Sequence, residues 1–137
     1  MVRQVEFALR ERERGCHLVT SEVLERLGKL PMTGLVNLTL KHTSAGLCLN
    51  ENYDPDVRQD LSAILDHVVP EDQTYYRHTL EGADDMPAHA KSALTGVSLT
   101  IPITDGRLNL GMWQGIYLCE FCDCGGQRRV VATIIGE

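Results

Sequence analysis

Residues 97–110 read VSLTIPITDGRLNL, a pattern of two strands joined by a tight turn. Val97, Leu99, Ile101 and Ile103 alternate with polar residues, so an extended chain puts all four on one face. Asp105-Gly106 then supplies the residue pair a tight hairpin prefers, and Leu108 and Leu110 begin a returning strand. Toward the carboxyl end, Gly111 marks a bulge before Trp113. Ile116, Leu118 and Glu120 share one face of the run 115–122, which makes Glu120 a half-buried carboxylate. Gly125-Gly126 forms another turn, and 130–135 is apolar on both faces, as a central strand is. From residue 97 onward the pattern predicts a β meander.

Toward the amino end the period changes from two to that of a helix. Asp84 or Asp85 caps a helix with Pro87 in its first turn and Ala90, Ala93 and Leu94 facing inward, leaving His89 and Ser92 on another face. Residues 71–85 show little periodicity and several ionisable groups, the mark of a long loop, and long loops in compact domains often carry function. Asp54-Pro55 opens a helix bearing Val57, Leu61, Ile64, Leu65 and Val68 at helical spacing until Pro70. Residues 35–40 form a strand with Val36, Leu38 and Leu40 on one face, a parity that carries His42 to the apolar side. Thr20 caps a short helix through Leu27, which Gly28 and Pro31 stop. Val5, Phe7 and Leu9 alternate in a first strand, and the run 16–19 is its expected hairpin partner. The sum is an α+β single domain over residues 1–137, with a mixed, largely antiparallel β-sheet and about three helices.

Composition narrows the function classes. The chain carries 19 acidic and 13 basic residues, a formal net charge of -6, with no positive footprint for a nucleic-acid backbone. Its apolar runs fall far short of the roughly 20 residues that span a bilayer, and residues 1–10 hold no apolar signal core, so no membrane and a cytoplasmic location are expected. Five cysteines, an odd number, point to reduced thiols. Cys119, Cys122 and Cys124 have a CxxCxC spacing but no second pair to complete a four-ligand zinc site, so they read as small buried groups.

Three segments join titratable groups to loops or element ends: His42-Thr43-Ser44-Ala45, then His78 to Glu81 with Asp84 and Asp85, then His89 with Lys91. Imidazole titrates near neutrality and ligates metals, and carboxylates orient it or bind cations. Converging, these groups suit proton transfer, metal binding or capture of an anion. No HExxH, GxxxxGK[ST], GxGxxG or GxSxG motif is present. Taken singly each histidine has a structural reading as well, and His17 and His67 have only that. Asn50 to Asp54 lacks the spacing of a calcium loop.

Three blocks carry a resemblance: HTSAGLCLNENYDPDVRQDL from residue 42, YYRHTLEGADDMPAHAKSALTGVSLTIPITDGRLNLGMWQGIYLCE from 75, and DCGGQRRVVATIIGE from 123. Together they resemble the YjbQ-like family, known as secondary thiamine-phosphate synthases, from about residue 5 to the end. The resemblance implies an α+β fold, a homotrimer in which one subunit's loop completes another's pocket, and a reaction joining a pyrimidine diphosphate to a thiazole phosphate. It implies His42, His78, His89, Glu81 and Glu120 as catalytic residues, and Thr43, Ser44, Lys91, Trp113, Gln114 and Arg128 as substrate contacts. Lys91, Arg128 and a divalent ion, magnesium or zinc, would hold the phosphates, with His42, His78 and His89 as metal ligands and Glu81 or Asp84 assisting. No organic cofactor is expected. The family's turn reads Asp-His-Gly-Gly-Pro-Arg; here Cys124 and Gln127 replace the histidine and proline, which favours softer ions.

The leading expectation is therefore a small-molecule enzyme with a His/carboxylate pocket for a phosphorylated or anionic substrate. A non-catalytic trimeric module holding a metal ion or anion comes second. A structural oligomer, stabilised by its polar cluster, comes third.

Overall fold

Asp105 and Gly106 both adopt positive φ, 53° and 75°, and close the hairpin as their sequence requires. They join β5 (Ser98–Thr104) to β6 (Arg107–Leu108) in a computed structural model that describes residues 1–137. The remaining elements, in chain order, are β1 (Val2–Ala8), β2 (Gly15–Leu18), α1 (Thr20–Leu27), β3 (Thr33–Leu40), β4 (Ala45–Glu51), α2 (Pro55–Val68) and α3 (Asp85–Thr95) before that hairpin, then β7 (Gln114–Glu120) and β8 (Arg129–Gly136) after it. The α+β class and three helices are as the patterning indicated.

The strands form two sheets, ordered β1-β8-β3-β5-β6 and β2-β7-β4, and every pairing is antiparallel. This corrects two expectations drawn from proximity in sequence. β1 pairs with β8 and β2 with β7, so residues 9–14 carry the chain between sheets and close no hairpin. β6 stops after two residues, and the chain again changes sheet before β7, so there is no continuous meander. β4, a strand not expected from the sequence, places Ala45 and Leu47 in the core and pairs with β7 along its whole length.

The inward faces of the two sheets enclose the main core. Val36, Leu38, Ile101, Ile103, Val130, Ala132 and Ile134 from the larger sheet meet Leu47, Ile116 and Leu118 from the smaller, and Val23 and Leu27 of α1 close one end. Each such aliphatic side chain, fully buried, contributes about 1.5–3 kcal/mol. β8 lies at the heart of the larger sheet as its two apolar faces predicted, although one of those faces leaves Ile135 exposed.

On its other side the smaller sheet carries α2 and α3 over a second cluster: Cys16, Tyr117, Cys119, Phe121 and Ala88. Asp54 caps α2 as predicted, its carboxylate accepting from the Asp56 amide. The apolar stripe of α2 is only partly used, since Leu61 and Leu65 pack while Ile64 and Val68 stay exposed. The face of α3 is a clear reversal. Ala88, Lys91 and Ser92 are buried and Leu94 is exposed. The physical reason is polar pairing: Ser92 Oγ donates to the Ala45 carbonyl, and Lys91 finds Asp66 of α2. Gly46 lets α3 sit this close, because a Cβ there would collide with the Thr95 side chain. No helix is long and apolar enough to cross a membrane.

Candidate functional site

The turn between β3 and β4, residues 41–44, is gripped from two sides, and its two neighbours are both charged. On one side stands α3. Asp85 and His89 lie four residues apart, hence on one face of the helix, and His89 Nε2 is 3.0 Å from Asp85 Oδ2. His78, from the loop ahead of α3, brings its own Nε2 to 2.6 Å from the same oxygen. The two rings are tilted against each other with centroids 5.3 Å apart. All three ligand atoms lie within 4.8 Å of one another. The hydrogen bond from His78, with the nearby His89 charge assisting, holds the Asp85 carboxyl below its ordinary value.

His89 Nδ1 meets the Thr43 carbonyl at 2.8 Å, and since a carbonyl only accepts, Nδ1 must carry the proton. Nε2 then faces the Asp85 carboxylate either as the second N–H of an imidazolium or as a lone pair. Two lone-pair groups at that distance call for a cation between them. This is also the arrangement of a metal-ligating histidine, whose remaining N–H is fixed by a backbone carbonyl.

On the turn's other side lies Glu120, at the end of β7. It is fully buried and paired with Arg128, whose Nε donates to Oε1 at 2.8 Å while Nη2 reaches the other oxygen. Arg128 Nη2 also donates to the Ser44 carbonyl at 3.2 Å, and the Cys122 amide to Glu120 Oε2. Gly125 is required here, since a Cβ would run into the carboxylate. His42 completes the grip: its Nε2 accepts from the Arg129 amide at 2.7 Å. Burial, and then the Arg128 charge, push the His42 imidazole below its usual pKa, toward the neutral form.

The residues singled out in the sequence therefore divide. His78 and His89 come together, with Asp85 as the third member. His42 lines the same broad depression as His89, about 640 Å³, but its Nε2 is already occupied and it stands outside the ligand group. Thr43 and Ser44 contribute backbone carbonyls. Lys91 is buried on the opposite face of α3, bound to Asp66 and lying over the Phe121 ring, and Arg128 is likewise committed to Glu120. Glu81 is exposed and outside the cluster, while Asp84 accepts from the Asp123 amide at 3.0 Å. Trp113 and Gln114 sit at the opposite end of β7 from Glu120, with Trp113 edge-on to Tyr53. At about 3.3 Å per residue that end is roughly 20 Å away. Asp85, which the sequence groups with His78 and Asp84 but which is given no role at the site there, is the member that joins the two rings; its four-residue spacing to His89 is the signal for it.

Of the cysteines, it is Cys16 and Cys48 that gather around Cys119, at 3.5 and 4.0 Å, while Cys124 is exposed. Beside His78 opens a depression of about 550 Å³, walled by Val68, Val69, Tyr75, Tyr76 and Met86 with Arg77 at hand.

Residues 5–137 match the family described as UPF0047 protein YjbQ-like. The UPF0047 protein YjbQ of Salmonella typhimurium is 52% identical over 131 residues, covering 94% of each chain. YugU of Bacillus subtilis, another UPF0047 protein, is 42% identical over 104 residues, 75% of this chain and 76% of its own. Among solved structures, a conserved hypothetical protein of Thermus thermophilus superposes with a TM-score of 0.81 at 41% identity, over 93% of this chain and 97% of its own. A protein of unknown function from Sulfolobus solfataricus reaches 0.86 over 100% and 99%, and at 20% identity it speaks for the fold alone.

Proposed function

This chain belongs to the YjbQ-like UPF0047 family, and on that footing we propose that it is a small-molecule enzyme whose working centre is a divalent metal ion held by His78, Asp85 and His89. The observation that carries the reading is one carboxylate oxygen shared by two imidazoles, one of them with its other nitrogen already fixed by the Thr43 carbonyl. Two nitrogens and one oxygen suit zinc better than magnesium, which prefers oxygen ligands and retained water. Three protein ligands leave a coordination position for substrate or water.

The substrate class is a phosphorylated or otherwise anionic small molecule with an apolar or planar part. Tyr75, Tyr76 and Met86 offer the apolar wall and Arg77 a cation on the same depression. Lys91 and Arg128, both tied up in ion pairs, act by holding the scaffold. When bound, the metal would stabilise charge on a departing or attacking oxygen. His42, its Nε2 lone pair taken by the Arg129 amide, carries its proton on Nδ1 beside the same depression as His89 and is suited to donate a hydrogen bond to substrate. Formation of thiamine phosphate from a pyrimidine diphosphate and a thiazole phosphate is one reaction with these demands. The homotrimer is part of the same proposal. Trp113 and Gln114 lie too far along β7 to join the histidines of their own chain, so they would contribute only across a subunit boundary.

The test is a zinc titration of chelator-treated protein followed by assay of pyrophosphate release from that substrate pair. Zinc-dependent turnover that disappears in His78→Ala and His89→Ala, with circular dichroism and oligomeric mass unchanged, is the expected result. Equal turnover in the chelated protein and in both variants overturns it. Zinc bound tightly by the wild type with no product would identify a metal-binding module instead.

A further inference from the structure

Cys16 on β2 stands directly opposite Cys119 on β7, both pointing into the cluster beneath α2 and α3. Opposed residues of an antiparallel pair have Cα atoms about 4.5–5.5 Å apart, within the span a disulfide bridges. Their sulfurs are already 3.5 Å apart, within hydrogen-bonding reach of each other. Cys48 also touches Cys119, at 4.0 Å, but as a diagonal neighbour, since Gly46 is the residue opposite Cys119 on β4.

The two opposed thiols differ in access. Cys119 is fully buried, and its two thiol neighbours together with burial push its pKa up. Cys16, buried to 9% exposure, borders a surface cavity of about 350 Å³ together with Glu13, Arg14, His17 and Arg58. Arg14 is neutralised there by Asp66, Glu71 and Asp123. Arg58 has a buried nitrogen, Nη1, with no hydrogen-bond partner. The hydrogen bond with Cys119 lowers the Cys16 pKa, against burial and the Cys48 and Asp66 charges, and so favours the thiolate, the nucleophilic form.

We propose that Cys16 and Cys119 form a peroxide-reactive dithiol, with Cys16 the attacking sulfur and Cys119 the resolving one. The Cys16 thiolate attacks an oxygen of a small hydroperoxide. The S–O bond forms as the O–O bond breaks, the released alkoxide takes a proton and leaves as alcohol, and Cys16 becomes a sulfenic acid. Cys119 then attacks the Cys16 sulfur, losing its proton; the S–S bond forms, the S–O bond breaks, and the oxygen departs as water. The peroxide gains the two electrons that the two thiols lose. Cys16, at 9% exposure and bordering the cavity, is the less enclosed of the two, with Cys119 at 0% behind it, and this sets the order.

The test uses the folded full chain and hydrogen peroxide. Wild type is expected to lose two of its five thiols, to fall in mass by two hydrogen atoms, and to yield a peptide joining residues 16 and 119. Cys48→Ser keeps that link. Cys119→Ser leaves a sulfenic acid at residue 16 that dimedone captures. A link between Cys48 and Cys119, or oxidation confined to Cys122 and Cys124, overturns the proposal, as does full retention of both thiols. If Cys119→Ser does not fold, the wild-type peptide map decides alone. None of these readouts depends on metal binding or turnover.

Discussion

The two charged groups that grip the 41–44 turn are built on opposite plans. Glu120 and Arg128 are buried to 1% and 4% exposure, and both carboxylate oxygens already have donors. Asp85 holds two imidazoles on a half-exposed rim, with one carboxylate oxygen serving both rings. A satisfied buried pair rigidifies a fold, because removing one partner strands the other charge in a low-dielectric interior. A partly exposed cluster beside a depression is open to exchange of ligands. Exposure to solvent separates scaffold from site.

The most forceful way to break the contrast is Glu120→Ala. It strands Arg128 and should cost about 3–5 kcal/mol of stability, read from the urea midpoint. A loss as small as that of a surface substitution would mean the pair is not the scaffold described here. Asp85→Asn should leave stability nearly unchanged yet weaken zinc binding at least about a hundredfold, roughly 2.7 kcal/mol, by calorimetric titration. Unaltered affinity would remove Asp85 from the ligand set.

Gly125→Ala sharpens the same boundary. Its new methyl meets a carboxylate that cannot swing aside, so about 1–3 kcal/mol is expected, while zinc affinity should persist. The smallest effect concerns His42. Its folded pKa lies below the ordinary 6.5, so the neutral form is favoured in the native state and stability is full above that value. As pH falls through 6.5 the unfolded chain takes up a proton first, and stability declines until the folded pKa is reached. His42→Gln should flatten that limb of a melting-temperature profile against pH; an identical slope would show that His42 is not the group responsible.

The comparison also explains what could be read in advance. His78 and His89 were nominated because imidazoles on a loop and a helix end are chemically conspicuous. Asp85 is legible as an acid near His78, but its cap position offers a sufficient local reason for it, and nothing local tells it from Asp84. Lys91 was assigned to an anion, because nothing local says that a lysine on α3 will find Asp66 on α2. Glu120 was correctly placed on the inward face of its strand, but its partner eight residues on, beyond the glycine turn, was assigned separately to substrate.

Period and turn chemistry alone determined the strand in residues 98–104, its Asp105-Gly106 reversal, the capped start of α2 and the central β8, because each rests on interactions within a few residues. Which strand pairs with which, which face of α3 turns inward, and which acid meets which base were decided only in three dimensions. Those choices depend on partners 25 to more than 100 residues away, such as Asp66 for Lys91 and Cys119 for Cys16. Local pattern sets which side chains can be buried; only the packed fold sets what they are buried against.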